Sequence, residues 1–501
     1  MNYPIWRLGF PGGLLIALIA VLHVFVSHFA VGGGAYLVLT ERWAYRKSDE
    51  ALLAYVRRYS KFFALVTVVF GAVTGVGIWF VIGLVSPEAT SSLIHSFVWG
   101  WAIEWVFFFV EIAAALVYAY NWETLDRRTH LAIGCIYFIA AWASLAIING
   151  IITYMLTPGR WLQTKNFWDG FFNPTYWPSL VMRTLFAMAL AGLWGVVTAS
   201  KLDGITRARV SRWAGSWLVT GLALLPLTAW WYFGKFPEFA RDYVAGLIPS
   251  AEHTIHAGIA CALAAAALAL VFAVLKPTWM NRATSALLVV TCFGALASGE
   301  YLREFSRKPY AINGYIYANG IRVSQAPTIA ANGGMSTNSQ WLLVQPALTV
   351  AYGHEVFVAQ CSACHSVDGY RSIRKRVHGW NAQFGAAIVP SLFLTHGTMP
   401  QFAGDHADAA ALGEYLATLA PEPLTINASD EMGTGQRVFQ MRCAYCHTVK
   451  GNRRPLDFAG ADFDSVDSLL QSLDSLNPDM PPFTGTTAER RALANWLRAQ
   501  K

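Results

Sequence analysis

Apolar positions run in long stretches through residues 1–302, and from residue 346 onward they alternate with polar ones as in ordinary soluble protein. Eight stretches approach the ~20 residues that a bilayer-spanning helix needs. They lie at about 13–39, 62–85, 95–120, 131–156, 180–200, 213–233, 254–275 and 284–302. The pattern predicts an all-α chain: a polytopic membrane helical bundle of about eight spanning helices, then shorter amphipathic helices outside the membrane. The first stretch is too long for a cleavable signal peptide and has no basic leader. Residues 1–315 read as one membrane domain, 316–345 as a linker, and 346–421 and 422–501 as two further domains.

Composition agrees with that division. Of the 501 residues 55% are hydrophobic and 13% charged, against about 25% charged in a typical soluble chain. The net charge of +7 comes from the flanks of the apolar stretches. Arg42, Arg46, Lys47, Arg57, Arg58 and Lys61 follow the first, Arg127 and Arg128 the third, Lys201, Arg207, Arg209 and Arg212 the fifth, and Lys276 and Arg282 the seventh. The intervening loops carry Arg160 and Lys165, then Lys235 and Arg241, and none at 86–94. By the positive-inside rule both termini face the outer side. The expected setting is a bacterial inner (plasma) membrane, with the C-terminal domains on the periplasmic face. The tail from 346 is close to neutral, and the charge pattern gives no reason to expect a nucleic-acid partner.

Four of the seven cysteines form two C-x-x-C-H boxes, Cys361-Ser-Ala-Cys364-His365 and Cys443-Ala-Tyr-Cys446-His447. Thiols at this spacing on a helical turn can add to both vinyl groups of one haem, and the following histidine is placed to ligate its iron. A redox dithiol or half a zinc site is the alternative for a box taken alone. The surroundings repeat, however. A short helix precedes each box (Tyr352–Gln360 and Gly435–Arg442). A Met-Pro pair follows about 34 residues later (Met399-Pro400 and Met480-Pro481), and a closing helix ends each unit (Ala407–Leu419 and Thr487–Gln500). Residues 346–501 thus resemble two tandem class I cytochrome c folds, which implies two covalent haems c. Met480 is the expected soft sixth ligand of the second unit, since no histidine follows His447; in the first, Met399 is expected, with His378, His396 and His406 as competitors. Thioether ligation raises the potential of the iron. Cys135, Cys261 and Cys292 are expected to be free buried thiols.

Ionisable groups at bilayer depth are costly and mark candidate sites. Here they are His23, His28, Glu104, Glu111, Arg183, His256, Glu300 and Glu304. Glu104 and Glu111 are two helical turns apart and share a face. Hydrogen-bonded core histidines and arginine-paired glutamates are the plain alternative; haem ligation or a proton path is the functional one.

Four stretches then resemble the large haem-bearing subunit of cytochrome bd-type oxygen reductases: the apolar run around His23, Gly71-Ala-Val-Thr-Gly75, Ala102-Ile-Glu104 with Glu111 and Asn149-Gly150, and Gly299-Glu-Tyr-Leu-Arg-Glu304-Phe-Ser-Arg307-Lys-Pro309-Tyr-Ala-Ile312. The likeness spans about 1–315. It implies His23 as axial ligand of the high-spin haem where dioxygen binds, Glu104 across that haem, and Glu304 as ligand of a neighbouring high-spin haem with Arg307 near a propionate. Glu111 falls near a second glutamate on the proton route, one residue short of the family spacing.

Three departures stand out. The low-spin haem ligands of the family fall on Arg183 and His256; arginine stays protonated and binds iron poorly, so that haem is lost or held by His256 with Met182, Met188 or His253. The quinol-binding loop is replaced by Gly234–Glu252, and the last family helix by the cytochrome c tail. The expected function is a bd-like oxygen reductase fed by cytochrome c, with two to three non-covalent haems of b or d type, dioxygen as substrate, a cytochrome donor and other membrane subunits as partners. A non-catalytic electron-transfer subunit of a larger respiratory complex is the main alternative, and a nitric oxide or other small-ligand reductase a third.

Overall fold

The computed structural model describes residues 6, 8–242, 244, 249–338, 342, 348–395, 397–420, 430–449, 457–476 and 480–500. His396 and the expected domain boundary at 421–422 lie outside them. The chain is mostly helical with almost no strand.

The expected spanning stretches become α1 (Gly12–Lys47), α2 (Glu50–Val85, with a π-helical turn at Leu65–Gly71), α3 (Val98–Tyr120), α4 (Arg127–Tyr154), α5 (Tyr176–Ala199), α6 (Gly204–Phe233), α7 (Glu252–Leu275) and α8 (Arg282–Phe305). Among the described residues seven of these, all but α6, are long and apolar enough to cross a membrane, so the expected eight is corrected to seven by that measure. Basic first turns, Pro226 and four tryptophans (Trp213, Trp217, Trp230, Trp231) lower the hydropathy of α6. Its 30 residues nonetheless run about 45 Å at 1.5 Å per residue.

Small residues decide the packing. Lipid tails are as apolar as leucine, so helices associate through close contact rather than through escape from water. At Gly192 a side chain would meet the backbone of Leu218, and at Gly221 that of Leu185, so α5 and α6 touch backbone to backbone. The run Gly32-Gly33-Gly34 does the same for α1. There, added side chains would strike the Ala187 carbonyl of α5, Phe63 of α2 and Tyr137 of α4 in turn. Phe25, Phe29, Tyr36, Tyr59, Phe63, Leu190, Leu193 and Leu218 fill the core around that crossing. Ion pairs Arg57–Glu123 and Arg209–Asp49 gather the basic loops after α1, α3 and α5 at one end.

Contacts divide the chain into two compact units, Leu15–Gly83 with Pro87–Gly314, and Met1–Leu14 with Leu84–Ser86 and Tyr315–Lys501. Residues 316–338, expected as linker, hold a short strand (Ile316–Tyr317) and two short helices (Ala326–Ala331, Gly334–Asn338), with Ala326 and Met335 buried.

The C-terminal region repeats one arrangement. Its first copy has α9 (Val350–Gln360), α10 (Ala382–Ile388) and α11 (His406–Leu419); its second has α12 (Glu431–Val438), α13 (Phe463–Gln471) and α14 (Thr487–Arg498). Gly353 stands eight residues before Cys361 and Gly435 eight before Cys443. A side chain at Gly353 would strike the Ala411 carbonyl, and one at Gly435 the Ala492 carbonyl. In both copies, therefore, first and last helices cross at a glycine. Of the remaining cysteines only Cys292 is buried; Cys261 is half-buried and Cys135 exposed, which corrects the expectation for those two. Membrane-facing surface of a bundle is apolar too, so hydrophobic sequence alone does not tell inside from outside.

Candidate functional site

In the first C-x-x-C-H box, α9 ends at Gln360 and the chain turns back on itself: the Cys364 and His365 amides donate to the Cys361 carbonyl at 3.1 and 3.0 Å. The second box repeats this, with the Cys446 and His447 amides 3.0 and 2.9 Å from the Cys443 carbonyl. His365 Nδ1 donates to the Arg371 carbonyl at 3.0 Å, which leaves Nε2 with the lone pair a metal needs. Burial holds this imidazole neutral, with its pKa pushed down to about 4. Phe357, Trp380, Ile373 and Phe402 line the first core, and Val449, Phe458 and Phe483 the second. Two thiols, a following histidine and apolar walls fit a covalent haem in each copy, and in the first the imidazole is already oriented. Met399 and Met480 are half-buried, while His378 and His406 are exposed.

In the membrane unit Thr74 sets the state of His23. Its hydroxyl donates to the Phe70 carbonyl at 2.8 Å, so at 3.1 Å from His23 Nδ1 its oxygen accepts. Nε2 again keeps its lone pair, the form an iron ligand requires. Gly75 leaves room for the ring; a Cβ there would lie 3.2 Å from His23 Cε1.

Glu104 and Glu111 both point at α4. Ser144 donates to Glu104 at 2.9 Å and Tyr137 to Glu111 at 3.0 Å. One further step of seven residues brings Tyr118 against His130, whose Nε2 lies 3.0 Å from the Tyr118 carbonyl. Seven residues up α3 match seven down α4 each time. The interface is a ladder of three polar rungs, about 10.5 Å apart along the axis.

At the end of α8, Glu304 is held by Arg307 and by Lys308 at 3.3 Å. A carboxylate has about four lone-pair sites, so acceptor capacity remains for a metal. Arg307 Nη1 donates to the Ala311 carbonyl at 3.1 Å, but its Nε is buried with no hydrogen-bond partner among the described residues. A haem propionate is the kind of acceptor that would satisfy it.

Arg183 and His256 do not form a comparable pair. Arg183 is buried against His28 Nε2 at 3.5 Å, Ser179 Oγ at 3.3 Å and Glu300 at 3.7 Å, and Arg303 holds the other Glu300 oxygen at 2.8 Å. His256 is exposed on α7. A guanidinium committed to this network offers no lone pair, so these residues do not fit a low-spin haem.

Residues 14–236 match the family model for cytochrome bd terminal oxidase subunit I, and residues 430–497 that for cytochrome c oxidase, cbb3-type, subunit III. The chain carries a bd-type oxidase domain and a cbb3-type cytochrome c domain. The bd oxidase from Geobacillus thermodenitrificans has a similar fold, with a TM-score of 0.54 at 15% identity over 61% of this chain and 88% of that one. No curated protein matches the chain. The bd-type and cytochrome c domains make this a membrane-bound, respiratory oxidase-like protein that binds haem and belongs to electron transport. The contacts of Thr74, Ser144 and Tyr137 leave no mark in the sequence, because each meets its partner only through helix packing, whereas Arg183–Glu300 is the arginine-paired glutamate given above as the plain alternative.

Proposed function

We propose that the chain is a cytochrome c-linked oxygen reductase, in which electrons arrive at the C-terminal domains and dioxygen is reduced to water in the membrane domain. The observation that carries this is the fate of position 183. A pure relay needs two strong ligands on each iron, and the position that the bd resemblance assigns to a low-spin ligand holds an arginine, paired with Glu300. Beside this network the bundle holds His23, an imidazole oriented by Thr74, with the Glu104–Ser144 rung on α3 and α4, and Glu304 at the end of α8. His23 and Glu304 would each hold a haem iron and Arg307 a propionate. Haem bound at such a one-sided ligand supplies one-electron and dioxygen chemistry.

The chain's own residues do the rest. His23 stays in one tautomer because Thr74 accepts from Nδ1. Glu104 and Glu111, each with one hydroxyl partner on α4, hold protons at their carboxyl oxygens for delivery toward the site. The basic loops gathered at one end support a cytoplasmic position for that end and an outer position for residues 346–501. Domains 1–315, 346–421 and 422–501, two covalent haems c and two non-covalent haems of b or d type complete the proposal. The short connection after Phe233, in place of a quinol loop, points to a reduced cytochrome as donor. Carbon monoxide added to the reduced protein should shift the membrane haem spectrum, and oxygen uptake should be fast with a reduced cytochrome and slow with a quinol. An unchanged membrane haem spectrum would favour a relay subunit instead.

A further inference from the structure

Tyr445 sits inside the second C-x-x-C-H box, one residue before Cys446, yet its ring packs against the hydrophobic core of the first cytochrome c copy. Trp380 Nε1 donates to Tyr445 Oη at 3.1 Å, and Tyr445 Oη donates in turn to the Arg376 carbonyl at 2.5 Å. The two rings meet edge-on, centroids 5.6 Å apart at 75°, and Phe384 adds a third ring at 6.4 Å, within the range of favourable aromatic pairs.

Two independent contacts hold the same faces together. Asn381 caps α10 through its oxygen, 2.7 Å from the Phe384 amide, and gives its Nδ2 to the Thr484 carbonyl of the second copy at 2.8 Å. Gly379, with φ +74°, lies so close to Met441 that any side chain there would strike the Met441 sulfur. Residues 376–384 of the first copy therefore contact 441, 445 and 484 of the second, which lie before its haem box, within it and after Met480.

We infer that segment 376–384 is a docking face for the second haem-binding loop, and that the Trp380–Tyr445 contact fixes the two c haems relative to one another. This rests on each box carrying a covalent haem. Once Cys443 and Cys446 are bonded to the porphyrin, the backbone of Tyr445 is pinned to its edge at both sides. Whatever immobilises the Tyr445 ring then immobilises that edge, and here it is the core of the neighbouring copy. Tyr445 and Trp380 act as positioning residues: the pair works as one rigid two-haem conductor, with packed aromatic atoms between the copies.

The full chain in detergent tests this. Covalent haem content comes first, from the intact mass of wild type, Tyr445→Ala, Tyr445→Phe and Asn381→Ala. Pulsed electron paramagnetic resonance on the oxidised protein then reads the distribution of distances between the two ferric c haems. Wild type should give one narrow distribution, Tyr445→Phe a nearly unchanged one, and Tyr445→Ala a broadened and shifted one with both haems still attached. Should Tyr445→Ala lose its haem, Asn381→Ala combined with Tyr445→Phe must broaden the distribution instead. Two haems with an unaltered distribution in these variants would overturn the docking and leave the two-haem assignment standing. A single covalent haem in wild type would overturn both.

Discussion

Glu41 of α1 and His130 of α4 face each other at 2.8 Å, and both are almost wholly buried. Among the described residues His130 Nε2 meets a backbone carbonyl, that of Tyr118, while the Tyr118 hydroxyl donates to the second Glu41 oxygen at 2.5 Å. A carbonyl only accepts, so Nε2 carries hydrogen, and one more proton lies between Nδ1 and Glu41. Removing one partner of such a pair leaves the other buried and unsatisfied. His130→Ala should cost about 3–5 kcal/mol. Glu41→Leu combined with His130→Leu should recover much of that loss, which a double-mutant cycle on thermal unfolding would show. A single-mutant cost near that of an exposed pair would mean the contact is not formed.

The paired cysteines predict covalent haem that survives denaturation, with a mass increase of two haems. Cys361→Ala with Cys364→Ala should remove one, and Cys443→Ala with Cys446→Ala the other. Arg442, next to Cys443, pairs with Glu489 of α14 at 3.0 Å with both side chains buried. Glu489→Ala should therefore weaken the second copy by about 3–5 kcal/mol while the first keeps its haem. Simultaneous loss of both haems in that variant would contradict this.

If Met399 and Met480 are the sixth ligands, the oxidised spectrum should show a weak sulfur-to-iron band at its red end. Met480→His should remove about half of it and lower the potential of that haem, because imidazole favours ferric iron more than thioether does. A full-strength band after the substitution would exclude Met480 as ligand.

Some of this protein can be read directly from the sequence and some cannot, for a physical reason. Covalent haem attachment requires neighbours in the chain, so both boxes are visible as strings of residues. Spanning helices are visible because the bilayer acts on every residue of a stretch. Pairings across helices leave no local trace: His23 with Thr74, Glu104 with Ser144 and Trp380 with Tyr445 are separated by 51, 40 and 65 residues. Hydropathy also fails where packing takes over, as in α6, whose tryptophans and Pro226 dilute its apolar character while Gly221 seats it on α5. The stretch 316–338 reads as linker because Asn, Gly and Pro punctuate it, yet Met335 there donates its amide to Asp408 of α11 at 2.6 Å.

The membrane site gives the sharpest test. If His23 holds the ligand-binding haem, His23→Ala should abolish carbon monoxide binding while both c haems remain reducible. Thr74→Val should do less: it removes the acceptor that fixes the Nδ1 hydrogen, so haem stays but its spectrum and affinity shift, typically by the 10–100-fold seen on loss of a ligand's supporting contact. Glu104→Gln keeps volume and hydrogen-bonding capacity and removes only the ionisable group, so haem content should survive while oxygen consumption falls. Ser144→Ala separates position from proton handling. It deprives Glu104 of its 2.9 Å partner without touching the carboxyl, and should lower turnover less than Glu104→Gln does. Glu304→Ala should deplete the neighbouring haem instead and leave carbon monoxide binding in place. Should Glu104→Gln consume oxygen at the wild-type rate, or the wild type consume none with its c haems reduced, the reductase must give way to a relay.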